Sequence, residues 1–558
     1  METQAQARAV NSAAGEPPAL VRDLLRKRGL IDEVGIAAFL RPSYENNLGD
    51  PFLMTDMDKA VTRILAAAKK REKVAVYGDY DIDGIASTTL MLETLQQLGL
   101  EPLSYIPDRY DEGYGIHIKA LQQLAKEGVS LVVSVDCGIT SVEETAWARA
   151  HKLDLIITDH HEVPVEIPEA VAVINPQRPG DTYPFKELSG SGVAFAVARA
   201  LQQRTGIPEP GREKWLLDLV ALGTVCDVMP LVGENRTLVH FGLMVLRKTR
   251  RVGLVALAQS AGLELADIRA YHLGFVFGPR LNAAGRLEHA NFSLELMTTK
   301  DPIDAQALAF QLEELNHQRR LEQDRIFTEA DAVAENLSAQ PVLVLADPDW
   351  SHGVVGIVAS KLAEKWQKPT LVLQILGDDA KGSGRSAGGY NLIEGLQFNS
   401  ELFTRLGGHH FAAGFTLPAA HLPNLQASLT AHYRSVATDL PATSARQADI
   451  EVDDLAALDW DVYNALELFE PCGNGNPQPV FGLAKLKVVA ADTVGKDRQH
   501  LKLKLASSAG VIYEGIGFNL AEKSPNLKIG QQVDVLCYLQ KNQWQDRATL
   551  QLVLIAVQ

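Results

Sequence analysis

Three short apolar segments of this chain each run directly into acidic or histidine residues, and this pattern constrains the fold more than any other. The segments and the polar residues that follow them are VAVY before Asp79, LVVSV before Asp136, and LIIT before Asp159, His160 and His161. Helical patterns separate them, over residues 84–98, 116–127 and 141–151. Strand, helix and strand at this rhythm predict right-handed βαβ units in a buried parallel sheet. Because such sheets form sites at the carboxyl ends of their strands, we expect an α/β fold that gathers these polar residues at one edge.

The segment YGDYDIDG places three carboxylates, Asp79, Asp81 and Asp83, at alternate positions. Carboxylates this close repel one another strongly unless a divalent cation neutralises them. A calcium-binding EF-hand loop also begins D-x-D-x-D-G, but its twelfth position requires a bidentate Glu and here holds Leu90. The segment also follows an apolar strand and not a helix. An exposed acidic turn without function stays an open alternative for this motif taken alone.

The wider set of polar residues favours a metal centre. Beyond the DxDxD segment it adds carboxylate and imidazole groups without any thiolate: Asp136, Asp159, His160, His161 and Asp227. The four cysteines are far apart and match no zinc spacing, so the set suits Mn²⁺ or Mg²⁺ better than structural zinc. A central carboxylate can bridge two ions roughly 3.5–4 Å apart, a pair that activates a water, polarises a phosphoryl oxygen and stabilises the leaving oxygen. The sequence therefore predicts two-metal hydrolysis of a phosphoester.

The chain is too long for one hydrophobic core, and its 558 residues predict three or four domains at the usual size of roughly 100–200 residues each. Residues 301–336 form a helical pattern that is too polar all round to be buried, so we expect a helix that bridges two domains. A second α/β unit follows, with strands VLVLAD and TLVLQIL around the helix GIVASKLAEKW, and then Gly-rich loops at 382–389 and 407–408. From residue 480 on, short alternating segments predict a small all-β barrel.

The net charge of −16 argues against a protein that coats duplex DNA non-specifically, because phosphate contacts need Lys and Arg. The sign reverses locally, since residues 473–558 hold ten Lys and Arg against six Asp and Glu. A narrow basic channel that feeds an acidic metal centre is compatible with both observations. The sequence has no apolar run of the roughly 18 residues that a membrane span needs, no apolar signal core and no heptad repeat. We therefore expect a cytoplasmic monomer.

Taken together, the DxDxDG segment, the DCGI segment around Asp136, the Asp-His-His triplet and the later Asp227 resemble the signature of the DHH phosphoesterase family. Further segments are similar to one branch of that family, the bacterial RecJ-type exonucleases specific for single-stranded DNA. These segments are PDRYDEGYGI at 107–116, GPRLNAAGRL at 278–287, SHGVVGIVASKL at 351–362, GSGRS at 382–386, GGHHFAAGF at 407–415 and FEPCGNGNPQPVF at 469–481. The likeness runs from about residue 50 to the last residue. It departs at Cys472, where RecJ-type sequences usually have Phe.

The resemblance implies a parallel-sheet DHH domain and a DHH-associated α/β domain joined by a long helix, followed by an OB-fold barrel that holds single strands. The boundaries that it implies are residues 1–49 for an N-terminal helical extension, 50–300 for the catalytic domain, 301–336 for the connecting helix, 337–445 for the DHH-associated domain and 446–558 for the OB-fold. Four barrel aromatics are candidates for stacking on bases, although such side chains more often fill a core: Tyr513, Phe518, Tyr538 and Trp544.

The resemblance also assigns roles to the residues of the metal centre. They are Asp79 and Asp81 for one ion, Asp83, His160 and Asp227 for the other, and Asp136 for the bridge between both. Asp159 would orient an imidazole through a hydrogen bond. His161 would lie near the scissile phosphate, as a donor to it or to the leaving group. Asp136, Asp159 and His161 are therefore the expected catalytic residues.

Contacts to phosphate and to the DNA strand are implied for a second group of residues: Arg109, Arg280, Ser383, Arg385, Gly407, Gly408 and His409. The glycines would bind phosphate through backbone N–H groups, and the adjoining Arg and His side chains would add charged donors. Glycine pairs more often mark turns and a surface Arg is usually only solvated, so each of these assignments depends on its motif.

The function that the resemblance implies is a single-stranded-DNA-specific 5′→3′ exonuclease that releases 5′-mononucleotides with two Mn²⁺ or Mg²⁺ ions. It would act in DNA recombination and repair, with single-strand-binding protein and a RecQ-type helicase as partners. Three alternatives stay open. A nanoRNase or cyclic-dinucleotide phosphodiesterase shares the catalytic core but usually lacks the barrel, and a family-II inorganic pyrophosphatase is shorter and has His in its first motif. An inactive replication scaffold would lack several of the metal ligands, all of which are present here.

Overall fold

The computed structural model describes residues 16–437, 447–523, 527–544 and 547–558 of the chain. Its first helices are α1 (Ala19–Lys27), α2 (Glu33–Leu40) and α3 (Met57–Lys70). Three apolar residues of α1, Val21, Leu24 and Leu25, are buried in one hydrophobic core with the C-terminal strands. The expected N-terminal extension therefore packs against the C-terminal part of the chain, while its residues 1–15 lie outside the described ranges.

A five-stranded sheet lies at the centre of the first α/β unit, and all of its neighbouring strands are parallel. Its strands are β1 (Val74–Tyr77), β2 (Leu103–Tyr105), β3 (Leu131–Val135), β4 (Asp154–Thr158) and β5 (Ala172–Ile174), in the spatial order β2-β1-β3-β4-β5. Alternate residues of β1 enter different cores: Val74 and Val76 lie in one, and Ala75 and Tyr77 lie in the other. Because both faces are covered, these strands read as continuous apolar runs. The predicted parallel sheet is confirmed.

Helices cover both faces of this sheet. Those predicted between the strands are α4 (Ile82–Gln97), α5 (Ile118–Lys126) and α6 (Val142–Ala150), whose ends lie within two residues of the predicted ones. The helices that follow are α7 (Gly190–Thr205), α8 (Leu217–Cys226), α9 (Gly233–Leu246), α10 (Val252–Ser260), α11 (Ala270–His272), α12 (Gly278–Leu287) and α13 (Asn291–Thr298), with a π-helical segment, Leu273–Phe277, between α11 and α12. Among the described residues, no helix has both the length and the apolar character that crossing a membrane requires.

The long helix α14 (Pro302–Asn336) forms where it was predicted, but the expectation that it is too polar all round to be buried is wrong. One side of it is buried along its whole length, through Ala305, Ala309, Leu312, Leu315, Asn316, Arg319, Gln323, Ile326, Ala330 and Ala334. A hydropathy pattern does not reveal this buried side, because the residues in its middle are polar. There the Arg319 guanidinium donates to Asn316 Oδ1 at 2.9 Å and to Gln323 Oε1 at 3.0 Å, so the polar groups satisfy one another.

The second α/β unit contains a mixed sheet in the order β6-β7-β8-β10-β9. Its elements are β6 (Leu343–Asp347), α15 (His352–Trp366), β7 (Thr370–Leu376), β8 (Asp379–Arg385), α16 (Leu392–Gln397), β9 (Arg405–Gly408), β10 (Ala412–Pro418) and α17 (Leu422–Val436). The predicted Gly-rich loops are wrong in part, because residues 382–385 belong to β8 and residues 407–408 end β9. Gly382 is required by packing and not by a turn, since a Cβ there would lie 2.5 Å from Leu373 Cγ on the neighbouring strand.

The C-terminal part is a closed barrel, as predicted. Its elements are β11 (Ile450–Glu451), α18 (Trp460–Glu467), β12 (Phe481–Val494), β13 (His500–Ala506), β14 (Ile512–Gly517), β15 (Gln532–Trp544) and β16 (Arg547–Val557). Five strands follow one another around it in the order β12-β13-β14-β16-β15, and the pairing of β12 with β15 closes the circle. Along β13 the residues Leu501, Leu503 and Leu505 are buried, whereas Lys502 and Lys504 are exposed. This alternation places both lysines on the outer surface of the barrel, where their ammonium groups lie 3.5 and 3.7 Å from the Glu514 carboxylate.

Candidate active site

The three carboxylates of the DxDxD segment lie at the carboxyl end of β1, where the chain turns into α4. Asp79 is buried, and Asp81 begins α4 by accepting a hydrogen bond from the Gly84 N–H at 3.1 Å. Asp83 lies within the first turn and accepts from the first two N–H groups of α7, at Gly190 (2.6 Å) and Ser191 (3.0 Å). The amino end of a helix favours an anion, so α7 holds Asp83 in place from outside its own segment.

Asp136, His160 and Asp227 meet these carboxylates from three other elements. Asp136 follows β3 in a left-handed conformation with φ 62°, and its side chain is 2% exposed. The Nε2 atom of His160, just after β4, lies 3.1 Å from Asp136 Oδ1 and 3.6 Å from Asp227 Oδ2, with Asp227 at the end of α8. Asp83 Oδ2 is 3.9 Å from the same nitrogen. The expected ligand residues therefore converge on one point at the strand ends.

The carboxylates of this centre are buried close to one another, which disfavours their charged forms. Burial raises the pKa of Asp136 well above its usual range, and the charges of Asp83 and Asp81 raise it further. Burial also raises the pKa of Asp79 to about 8 and that of Asp83 to about 6, mainly because water is excluded from both. By contrast, burial lowers the pKa of His160 to about 3, which keeps its imidazole neutral and its lone pair free for a cation.

Three buried polar atoms at the centre have no hydrogen-bond partner among the described residues: Asp79 Oδ1, Asp136 Oδ1 and His160 Nε2. Unpaired buried polar atoms are costly, and here they point at one another. In each of two groups, all ligand atoms lie within 4.8 Å of one another. The first group is Asp79, Asp81 and Asp136, and the second is Asp83, His160 and Asp227. A third such group joins Asp136 and His160 to His161. The donor set fits divalent cations of the Mg²⁺ or Mn²⁺ class, and the division of the ligands between two ions stays a prediction.

Metal binding is expected to stabilise the folded protein measurably. An ion that binds only the folded state adds about 2.7 kcal/mol when its concentration is 100 times its Kd. We expect the thermal midpoint to rise when MnCl₂ replaces EDTA, and to rise much less in the Asp227→Asn variant, which keeps the size of the side chain but loses one anionic ligand. Differential scanning fluorimetry measures both midpoints. An equal rise in the two proteins would place the ions elsewhere.

Asp159 orients the second histidine of the pair. Its Oδ1 accepts from the backbone N–H groups of His160 (2.7 Å) and His161 (3.1 Å), and its Oδ2 accepts from the Ile139 N–H at 2.9 Å. The same Oδ1 lies 2.7 Å from His161 Nδ1, and the Tyr114 hydroxyl lies 3.0 Å from that nitrogen. Although burial alone would lower the pKa of His161, the hydrogen bond with Asp159 raises it to about 9. His161 is thus a half-exposed imidazole held at Nδ1, with Nε2 left as its available nitrogen.

Sequence reasoning missed several residues that shape this centre. Gly190 and Gly223 are required because a Cβ at Gly190 would lie 2.6 Å from Asp136 Cγ, and one at Gly223 would run into the Asp83 carboxylate. Neither belongs to a motif, since the close approach arises only when distant segments fold together. Asn175 donates to the His161 carbonyl at 2.9 Å, and Tyr114 supports His161 from within a segment that the resemblance did highlight.

The second α/β unit faces this centre through its Gly-rich strands. Ser383 and Arg385 lie on β8, where the guanidinium donates to the Ser383 hydroxyl at 2.8 Å. His409 lies just beyond Gly407 and Gly408 of β9 and donates its backbone N–H to the Ala412 carbonyl at 2.8 Å. Burial and the charge of Arg385 lower the pKa of His409, whereas Glu162 raises it. Because Glu162 follows the Asp-His-His triplet directly, His409 lies on the side of the second unit that faces the metal centre.

Several positive charges lie close together where the two α/β units face each other. Burial and the charges of Arg109 and Arg319 lower the pKa of Arg286 to about 9, and burial and Arg109 also lower the pKa values of Lys381 and Arg385. Arg109 stacks over the Tyr80 ring at 4.7 Å, next to Asp79. Within the described ranges none of these side chains has a carboxylate ion-pair partner, and Arg286, which sequence reasoning missed, donates only to the Gly353 carbonyl, at 3.1 Å. The cluster is therefore suited to bind an anion.

Other predicted contacts are not part of this cluster. Arg280 is paired with Glu313 of α14 and donates to the Val276 carbonyl at 2.9 Å. In the barrel, Tyr513 is partly buried and donates to the Leu458 carbonyl at 2.6 Å, whereas Phe518 is exposed beside His500. Tyr538 is half-buried, and the side chain of Trp544 lies outside the described part of the chain. Among these rings, Phe518 has the exposure that stacking on a base needs.

Family models match three parts of the chain. Residues 73–224 match the DHH family, N-terminal domain, residues 339–434 match the DHHA1 domain, and residues 448–556 match the RecJ OB domain. The matches fall on the first parallel sheet with its helices, the second sheet, and the barrel.

Curated relatives and solved structures are similar to the chain over most of its length. The single-stranded-DNA-specific exonuclease RecJ of Bacillus subtilis is 36% identical over 540 residues, which cover 96% of this chain and 67% of the relative. RecJ of Haemophilus influenzae is 32% identical, with 90% and 91% covered. The crystal structure of Thermus thermophilus RecJ in complex with Mn²⁺ superposes with a TM-score of 0.81 at 29% identity, covering 98% of this chain and 78% of that one. The same protein in complex with Mg²⁺ gives 0.75 at 28% identity, covering 96% and 74%.

Proposed function

The chain belongs to the RecJ family of single-stranded-DNA-specific exonucleases, within the DHH phosphoesterases, and from this membership we propose that it degrades single-stranded DNA from the 5′ end. It is a metal-dependent phosphodiesterase that acts in DNA recombination and repair, and its products are 5′-mononucleotides. Mn²⁺ or Mg²⁺ is its cofactor, as the donor set of the centre favours and as the T. thermophilus structures carry. The 5′→3′ direction is supported by the family resemblance.

The observation that carries the proposal is that buried carboxylates and a cluster of cations face each other, and we infer a cleft between them. On one side are the buried carboxylates around Asp136, and on the other are the unpaired cations Arg109, Arg286, Lys381 and Arg385. A phosphodiester satisfies both sides, because its non-bridging oxygens accept hydrogen bonds from guanidinium groups while its phosphorus faces the metal centre. Ser383, Gly407, Gly408 and His409 adjoin the cationic side and would hold the phosphates that precede the scissile bond.

The protein residues position the substrate and deliver a proton. Two divalent ions in the centre supply activation of a water and Lewis-acid polarisation of the phosphoryl group. Asp159 fixes the ring of His161 through Nδ1, so that Nε2 donates to the scissile phosphate or to the leaving oxygen. The Tyr114 hydroxyl contacts the same ring nitrogen, at 3.0 Å. The cations across the cleft hold the strand so that the bond to be broken lies in line with the attacking water.

The presence of the barrel favours a long single strand as the substrate, rather than the smaller substrates of the alternative functions. A nanoRNase or a cyclic-dinucleotide phosphodiesterase needs no such module, whereas the barrel here carries Lys502, Lys504 and the exposed ring of Phe518 on its surface. An inactive scaffold is disfavoured because every expected metal ligand is present and converges. We propose that the domains divide as the family resemblance implies, with catalysis in residues 50–300 and strand binding in residues 446–558.

Partners and location follow from the same membership. We propose that the enzyme works in the cytoplasm as a monomer, on strands that a RecQ-type helicase supplies and single-strand-binding protein covers. These proposals are supported by the family's role in recombination and repair, and each is open to a separate pull-down or sizing experiment.

A time course on one oligonucleotide labelled at either end tests the proposed function. With Mn²⁺ we expect early release of a 5′ label as mononucleotide, a slowly shortening 3′-labelled strand, no cleavage of blunt duplex and no activity in EDTA. Intact binding without cleavage in any metal would favour the scaffold. Cleavage restricted to di- to pentanucleotides would favour the nanoRNase.

Loss of one unpaired guanidinium is expected to weaken strand binding and to reduce its salt dependence. Each phosphate contact to a single strand contributes about 0.7 to the slope of log K against log salt concentration. We expect Arg109→Ala to lower affinity and to reduce that slope by about 0.7, as measured by fluorescence anisotropy in EDTA. Arg149→Ala is the matched control, because Arg149 is an exposed surface arginine paired with Glu169. An unchanged slope in Arg109→Ala would show that this side chain contacts no phosphate.

A further inference from the structure

Two aromatic rings stack on each other in the open between the metal centre and the barrel. Tyr271 and Phe275 have ring centroids 4.9 Å apart and an interplanar angle of 23°. Their exposed fractions are 62% and 70%, so most of the surface of each residue faces solvent. Exposing two large adjacent aromatics costs solubility and stability, and a patch of this kind usually marks a binding surface.

The backbone that presents the two rings is itself unusual. Phe275 lies within the π-helical segment Leu273–Phe277, and such wide turns are rare and occur frequently at functional sites. The segment packs directly on the helix that ends at the metal ligand Asp227: a Cβ at Gly274 would contact Val225, and one at Gly278 would approach Cys226 Sγ at 2.8 Å. The exposed rings are therefore attached to the rigid support of the catalytic centre.

The same surface continues toward the barrel. Arg269, two residues before Tyr271, forms a two-pronged ion pair with Glu467 at the end of α18, with distances of 2.9 and 3.2 Å. Val228, which follows Asp227 and is largely exposed, accepts a hydrogen bond at 2.7 Å from Asn474 in the segment that enters the barrel. A strand that runs from the barrel to the metal centre thus passes the region in which the two rings lie.

We propose that Tyr271 and Phe275 form a stacking platform for an unpaired nucleobase of the bound strand. The proposal rests on the proposed function, since it needs a single strand that occupies both the metal centre and the barrel. Aromatic faces bind bases of any sequence, as a nuclease without sequence preference requires. The faces of bases inside a duplex are covered by their neighbours, so the platform favours an unpaired strand over duplex at this point of the path.

An abasic scan combined with ring removal tests the platform. The full-length protein is titrated in EDTA with a set of 3′-labelled single strands, each carrying one abasic site at a successive position from the 5′ end. We expect the wild-type Kd to rise about 5-fold or more when the abasic site falls at one or two adjacent positions. We expect Y271A/F275A to raise the Kd for the intact strand by a similar factor and to lose the sensitivity at those positions, while Tyr271→Phe keeps both.

Phe398→Ala is the matched control, because Phe398 is 56% exposed but packs against His432 on the second α/β unit. It should behave as the wild type does. An unchanged Kd and abasic profile in Y271A/F275A, with an unchanged thermal midpoint, would overturn the platform while leaving the proposed function intact. Failure of the wild-type protein to bind or cleave single strands would overturn the proposed function and the platform together.

Discussion

Asp136→Asn is expected to lower the hydrolysis rate by about 10³-fold or more while leaving the metal-free fold at least as stable as the wild type. Asp136 lies in the first group of ligand atoms with Asp79 and Asp81, and its Oδ1 is 3.1 Å from His160 Nε2 of the second group, so we expect its loss to weaken both ion positions. In the metal-free protein the same carboxylate is buried and repelled by its neighbours, and a neutral amide relieves that repulsion. The rate is measured by release of a 5′ label in Mn²⁺, and the stability by the thermal midpoint in EDTA.

The control for this variant is Asp304→Asn, an identical change at an exposed position in the first turn of α14. It should keep the wild-type rate. Asp136→Asn activity within tenfold of the wild type would contradict the bridging position, and a large drop of its thermal midpoint in EDTA would mean that Asp136 holds the fold rather than the ions.

Gly190→Ala is expected to lower activity by about 10²-fold through a single added methyl group. A Cβ at this position would lie 2.6 Å from Asp136 Cγ, and the Gly190 N–H is also one of the two that hold Asp83. The methyl group must displace a ligand or the start of α7, and misplacement of a catalytic group by about 1 Å costs roughly that factor. Stopped-time assays at several Mn²⁺ concentrations measure the effect, and part of it should be recovered at high Mn²⁺ if ligand displacement is the cause.

Gly192→Ala, two residues along the same helix, is the natural comparison. Its Cβ would meet Leu188 side-chain carbons at 3.3 Å and approaches no metal ligand. We expect a small change of thermal midpoint and nearly unchanged activity. Equal losses of activity in the two variants would attribute the Gly190 effect to helix α7 as a whole rather than to Asp136.

The placement of the metal centre could be predicted because it depends on a rule about sheets. Parallel strands end at a common edge, so Asp79, Asp136 and His160 had to meet once their strands were recognised. Asp83 was identified by the alternate spacing of its segment, whereas its assignment and that of Asp227 to one ion came from the family resemblance. The barrel could be predicted for a similar reason, because alternation in β13 and its neighbours is visible residue by residue.

What the sequence could not indicate depends on distant segments that approach closely. Gly190 and Gly223 look like ordinary helix residues until Asp136 and Asp83 are seen against them. In the sequence, Arg286 looks like any arginine of a surface helix. Only the structure shows that, among the described residues, no carboxylate pairs with it. The burial of α14 could not be predicted because Arg319 is buried while it donates hydrogen bonds to the side-chain amides of Asn316 and Gln323. A hydropathy pattern assigns such polar residues to the exposed side.

Helix α1 and the barrel strands share one hydrophobic core although they are far apart in the sequence, and this separation affects how the protein is synthesised. The Lys27 ammonium group donates to the Asp449 carbonyl across 422 residues of sequence, next to Val21, Leu24 and Leu25 in the barrel core. At a synthesis rate of about 5–20 residues per second, α1 leaves the ribosome roughly 20–80 s before its partner strands exist. Its apolar face therefore stays exposed to solvent, or bound to a chaperone, while the catalytic domain folds. Helix α1 can therefore join this core only after the barrel strands have been synthesised.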